Sequence, residues 1–239
     1  MTADEISVTV VIPARNEEDL IETAVQSVVD QMYPRHLLEC VVVDNGSTDG
    51  TRARVLAAAE RHRDIPIRLV AEPEPGVGRA KNQGAAEASG DILLFLDADS
   101  RLDETMAGDV AARYLAGSPA GSIRIDADST HPIDRGFFAL MEVGKILFGV
   151  RSQMSYIERT LFKAIGGFQP DLYLAEDLDL LRRARELASQ SGGTVCHIRS
   201  SAIRTSPRRL HTYPFHLAVI PIFVRWSMAF AGYGRRRHY

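Results

Sequence analysis

Within its first hundred residues the chain passes four times from a short apolar run into a polar loop, with helical patterns between, and this repeat limits the fold more than any other feature. Residues 8–12 are β-branched and close at Pro13. Residues 39–43 end at Asp44-Asn45-Gly46-Ser47, residues 67–70 lead towards Gly76-Val77-Gly78, and residues 92–96 end at Asp97-Ala98-Asp99. Residues 17–31 carry Leu20, Ile21, Ala24, Val25 and Val28 at helical spacing, residues 48–61 are alanine-rich, and 79–88 form a third helical segment. Three strand–helix units feeding a fourth strand predict an α/β fold with a mixed, mostly parallel sheet and helices on both faces. Ligands of such sheets sit in the crevice beyond the strand C-termini, where the loops are polar here.

The later pattern is coarser: helices over 104–115 and 133–148, strands over 121–126 and 154–157, a helix starting near Ala175, and late strands at 194–198 and near Ile203. The 239 residues suit one large core. No repeat or linker divides them, so the catalytic-type domain is placed at 1–210 and a tail at 211–239.

A net charge of −3 gives no attraction to nucleic acid. Cys40 and Cys196, each at an apolar run, are expected as quiet core thiols of a reducing, cytoplasmic setting. Asp4 and Glu5 stand where an export signal would carry positive charge. Residues 215–230 include His216, Pro221 and Arg225, short of the roughly 20 clean apolar residues of a spanning helix. With Arg235-Arg236-Arg237 behind it, the segment 214–239 suits peripheral contact with the inner face of the cell membrane, or packing on its own domain or on a second copy in a homodimer.

Asp97 and Asp99 close the most apolar strand, and the two-residue strand period is expected to aim both carboxylates to one side, around Ala98. Such a pair can hold Mg²⁺ or Mn²⁺, which takes one or two carboxylates plus substrate phosphates. An acidic strand-end turn explains the same residues equally well, and Asp126-Ala127-Asp128 repeats the tripeptide in what is expected to be a solvent-facing turn or an acceptor-side loop. Pro13, Ala14, Arg15 and Glu17 can present backbone N–H groups and an arginine to a ligand. Asp44 can accept from the N–H of a base, and Ser47 or Thr48 is expected to cap the next helix. Gly76-Val77-Gly78 is not a dinucleotide fingerprint, because Lys81 stands where the third glycine is needed. Arg79, Lys81 and Asn82 instead offer donors to a phosphate or ribose. Asp177, at a helix start, is the candidate general base and is expected to stay ionised at neutral pH. Arg208 and Arg209, within 205–209, could neutralise a leaving group, although a solvated turn accounts for them too.

In this order the motifs resemble the family 2 glycosyltransferases of the GT-A fold, over roughly residues 7–210. The resemblance rests on Val11-Ile12-Pro13 with Asn16-Glu17, on residues 43–51, on residues 79–84, on Gly90-Asp91 through Asp99, on Gly166-Gly167-Phe168, and on residues 176–180. It implies a metal-dependent inverting transfer from a nucleotide-diphosphate sugar to an acceptor hydroxyl. Pro13, Arg15 and Glu17 would line the nucleotide, Asp44 would meet the base, Asp97 would lie near the ribose or metal, Asp99 would bind the metal, and Asp177 would be the base. UDP is favoured over GDP or dTDP, and the acceptor is a sugar, a lipid-linked glycan or a small molecule. The Gln-x-x-Arg-Trp motif of processive members is missing, since Ile222 precedes Val224-Arg225-Trp226 where glutamine would stand. His197 and His211 are weak candidates for a third metal ligand. The competing expectations are a sugar-phosphate nucleotidyltransferase, which needs a glycine-rich loop after the first strand, and an inactive nucleotide-sugar-binding protein.

Overall fold

The computed structural model describes residues 5–147, 155–172 and 176–211, without the side chains of 144–147 and of Arg209. The remainder of the tail assigned to 211–239, with its membrane or dimer contact, lies outside the described residues. In chain order the elements are β1 (Val8–Ala14), α1 (Ile21–Val29), β2 (Leu38–Asp44), α2 (Thr51–Arg61), β3 (Ile67–Ala71), α3 (Val77–Glu87), β4 (Ile92–Phe95), β5 (Ser100–Leu102), α4 (Met106–Leu115), β6 (Ala120–Ala127), α5 (Pro132–Leu147), β7 (Tyr156–Glu158), α6 (Arg159–Ala164), α7 (Glu176–Gln190), β8 (Val195–Thr205) and α8 (Arg208–His211). The strands form one sheet in the order β3-β2-β1-β4-β7-β6-β8-β5. β1 to β4 are parallel, β7 runs antiparallel to both β4 and β6, and β6 is parallel to β8. The C-terminal ends of β1, β2, β3, β4, β6 and β8 therefore share one edge.

The four-strand repeat forms as its pattern dictates. β2 and β4 are buried at every residue because helices cover both faces. One face packs β-branched residues such as Val10, Ile12 and Val42 against α1, α2 and α4. The other packs Val11, Leu93 and Phe95 against α3, α6 and α7, with Phe95, Phe162 and Phe168 at ring separations of 5.1–5.7 Å.

Two short elements, β5 and α6, carry no periodicity that a sequence can show. The two late strands are one, β8, with a register shift opposite Ile123 and Arg124. α2 begins at Thr51 behind Gly50, and neither Ser47 nor Thr48 caps it. Its first turn is held instead by Asp49, which accepts from the Thr51 amide at 3.0 Å and hydroxyl at 2.6 Å. Cys40 is a buried free thiol pushed up to about 12 by burial, and Cys196 is also free.

α3 lies unusually close to β1 and β2. A Cβ on Gly84 would meet Val11 Cγ1 at 2.4 Å and Val43 Cγ2 at 3.0 Å. Gly84→Ala is expected to cost about 1–3 kcal/mol by overpacking, read as a lowered urea midpoint with an unchanged m-value.

Candidate active site

The loops after β1 and β2 are stitched into one wall at the shared edge. Asn16 adopts φ +54°, which asparagine tolerates because its short amide can bond locally, and its Oδ1 accepts from the Thr48 amide at 2.8 Å. The Asn16 amide donates to Ser47 Oγ at 3.1 Å, the Glu17 amide to Thr51 Oγ1 at 2.8 Å, and the Gly50 amide to Glu18 at 2.7 Å. Ser47 is thus a strut between loops. Pro13 and Ala14 end β1, with Ala14 in register with Asp44, while Arg15 is exposed. Asp44 is buried, accepts from the Ser47 amide at 3.0 Å and pairs with Arg52 at 2.7 Å. Burial opposes its ionisation, but the bonds from Ser47 and Arg52 outweigh that and hold its carboxyl below the usual range. The Asn45 amide donates to the carbonyls of Glu72 and Glu74 and accepts from Gly76, whose φ of +146° only glycine adopts readily.

Asp97 and Asp99 are not aligned by a strand period. β4 stops at Phe95, and the two acids sit in a turn closed by the Ser100 amide on the Asp97 carbonyl at 3.0 Å. The turn splits their surroundings. Asp97 acts on Lys81 and Asp177, whereas Asp99, 8% exposed, lies 3.5 Å from Arg208. Pairing of β5 with β8 brings Arg208 there: Ser100 faces Thr205, their hydroxyls are 2.9 Å apart, and the Ser206 amide donates to the Asp99 carbonyl at 2.9 Å. The Arg208 guanidinium also bonds Glu17, whose other carboxylate oxygen is buried without a hydrogen-bond partner. Arg208 therefore bridges the first loop and the acidic turn. The side chain of Arg209, assigned alongside it, lies outside the described residues.

The α3 residues differ in their surroundings. Arg79 is half-buried. Asn82 is tied to the backbone of Phe168, donating to its carbonyl and accepting from its amide, both at 2.8 Å. Lys81 is 3% exposed, stands 3.1 Å from Asp177 Oδ1 and lies 4.9 Å from the centre of the Phe168 ring. It is a buried partner of the candidate base and not a donor open to a phosphate or ribose. Desolvation opposes its charge, but Asp177, Asp97 and Glu176 together keep it protonated.

Asp177 stands against the same lysine. Burial raises its pKa most, Lys81 lowers it, and Glu176 and Asp97 raise it again, leaving it at about 7. A first-turn position on α7 does not hold its carboxyl at the ordinary value, because desolvation works against the helix dipole.

His197 and His211 both have other partners. His197 sits between Ser122 at 2.9 Å and Glu142 at 3.6 Å, and His211 lies 3.1 Å from buried Asp134. Among the described residues no three His, Cys, Asp or Glu side chains gather as a ready-made metal site. The chemistry of the turn still fits a hard cation, since two carboxylates without a third ligand leave coordination positions for diphosphate oxygens.

The profile of the family described as glycosyl transferase family 2 matches residues 9–137, more than half of the chain. The chain belongs to that family. It is similar to glycosyltransferase AglE of Haloferax volcanii, 40% identical over 101 residues that are 41% of this chain and 32% of AglE. It is also similar to the probable glycosyltransferase YdaM of Bacillus subtilis, 28% identical over 204 residues that are 75% of this chain and 47% of YdaM. The chain thus spans half or less of the length of these curated relatives. Among solved structures it resembles the mannosyltransferase PcManGT of Pyrobaculum calidifontis in complex with GDP-Man and Mn²⁺, with a TM-score of 0.66 and 28% identity over 83% of this chain and 56% of that one. The fold is the GT-A fold, and the family match begins in β1 and ends in α5. No helix among the described residues is long and apolar enough to cross a membrane.

Proposed function

We propose that this family 2 chain is an inverting glycosyltransferase that moves a sugar from a nucleoside diphosphate to an acceptor hydroxyl. The observation that carries this reading is the buried Lys81–Asp177 pair beside Asp97, which sets a carboxylate poised near neutrality against the acidic turn. A group with a pKa near the working pH is the efficient choice for a general base. Asp177 removes the acceptor hydroxyl proton, the acceptor oxygen bonds to the anomeric carbon, and the bond from that carbon to the diphosphate oxygen breaks with its electrons. Pro13, Arg15, Glu17 and Asp44 line the nucleotide, and Arg208 sits where it can meet the departing diphosphate once it leaves Glu17 and Asp99. Asp97 and Asp99 would hold Mg²⁺ or Mn²⁺, which when bound neutralises charge on the diphosphate. PcManGT, solved with GDP-Man and Mn²⁺, supports a nucleotide-sugar donor and a divalent metal.

A thermal-shift series with UDP, GDP and dTDP, each with and without Mn²⁺, tests the donor site, because a ligand bound only by the folded state raises the melting temperature according to its affinity. We expect a shift of several degrees for one diphosphate that requires the metal and is lost in Asp99→Ala. A shift of equal size in Asp99→Ala would remove the metal site from the turn.

A further inference from the structure

A cleft of about 700 Å³ opens at the same edge of the sheet, between the ends of β5, β6 and β8 and helix α5. Its floor is a row across three strands. Arg204 is the register partner of both Arg101 and Asp126, so the three side chains share one face. That is the face on which α7 packs: Ala120 and Val195 cluster there with Leu180 and Ala184, and Ala120 and Asp126 have the same parity along β6. Arg101 in its floor follows Asp99 of the acidic turn by two residues along the chain.

The charges of the cleft are nearly all spoken for. Arg101 pairs with Asp128 at 2.7 Å, Arg204 with Asp103 at 2.7 Å, and Asp126 with Arg124 at 3.0 Å. Arg135 on α5 is different. It is exposed, lines the cleft, and among the described residues has no carboxylate partner. Phe138, one turn further on, adds an apolar wall.

From this we infer that the cleft is the acceptor subsite and that it takes a sugar carrying an anionic group, a carboxylate or a phosphate, which Arg135 engages while the paired arginines and aspartates meet the hydroxyls. The inference rests on the transferase reading above. Paired Arg–Asp rows offer both donors and acceptors at fixed positions, which suits hydroxyls, and a lone guanidinium adds a charge-assisted bond to one substituent. A cleft of this size is ample for a monosaccharide.

Saturation-transfer NMR titrations with glucose, glucuronate and glucose 6-phosphate test it, using the full chain at low salt. Both anionic sugars are expected to bind about tenfold more tightly than glucose, the effect of one charged hydrogen bond. Arg135→Gln should bring them down to the level of glucose, and Arg135→Lys should restore most of the difference. A preference for only one of the two anions identifies the substituent as carboxylate or phosphate. Equal binding of all three sugars by the wild type, or an unchanged preference in Arg135→Gln, overturns the inference. The nucleotide thermal shift is run in parallel: if no nucleotide binds while Arg135 still selects the anionic sugars, the transferase reading fails and the cleft stands as a sugar site.

Discussion

Asp177→Asn is expected to lower kcat by about 10²- to 10⁴-fold, the usual contribution of a positioned general base, while leaving the metal-dependent nucleotide shift intact. The substitution keeps shape but removes both the ability to take a proton and the charge that faces Lys81, which still has Asp97 and Glu176 nearby. The donor wall is built from other elements, the loops after β1 and β2 and the turn after β4, so nucleotide affinity has no reason to change. The wild type should show the same chemistry in its pH profile. With Asp177 as the base and its pKa raised by burial, kcat/KM is expected to rise with pH on the acid side and to level off above it. Transfer at wild-type rate by Asp177→Asn would show that the proton goes elsewhere. Loss of the nucleotide shift in that variant would instead mean that the carboxylate supports the donor site.

The first half of the molecule could be read from residue order because its signals are local. Each strand of β1 to β4 is short, apolar and followed by a polar loop, and the four pair with one another in parallel, although β4 takes β7 antiparallel on its other side. The second half depends on contacts that no local pattern carries. The meeting of Arg208 with Asp99 and Glu17 needs the three-residue strand β5 to pair with the end of β8, more than a hundred positions away. Asp126-Ala127-Asp128 read as a surface turn or an acceptor-side loop, and the register of β6 with β8 turns its first acid towards the cleft. The residue order marks Lys81 as a donor to a phosphate or ribose, whereas in the fold its ammonium faces Asp177. Burial is a tertiary property, so the sequence could not show that its ammonium would be spent on Asp177. Desolvation, a tertiary effect as well, raises the Asp177 carboxyl against the helix dipole that its helix-start position suggests.

Replacing Lys81 is expected to be the most damaging single change in the site. Lys81→Met keeps length and apolar volume but leaves Asp177 buried against Glu176 and Asp97 without its counter-charge, and breaking one side of a buried pair costs about 3–5 kcal/mol. Asp177 can relieve part of this by staying protonated, so its pKa should climb further above 7. A carboxyl whose folded-state pKa lies above its unfolded value contributes stability that is full below the unfolded pKa and is lost as pH rises through the folded one. For the wild type that loss falls between about 4 and 7, and for the variant it continues to higher pH. The deficit of Lys81→Met relative to wild type should therefore be small near pH 5 and large near pH 8, as measured by urea unfolding at both. Activity at pH 7 should fall and partly recover as pH is raised, because the stranded base needs a higher pH to ionise. Adding Asp177→Asn to Lys81→Met removes the stranded charge, and the double variant should regain stability at pH 8 that the single one lacks. A deficit equal at both pH values, with no recovery in the double variant, would mean that Lys81 matters only for how its stem packs on Phe168.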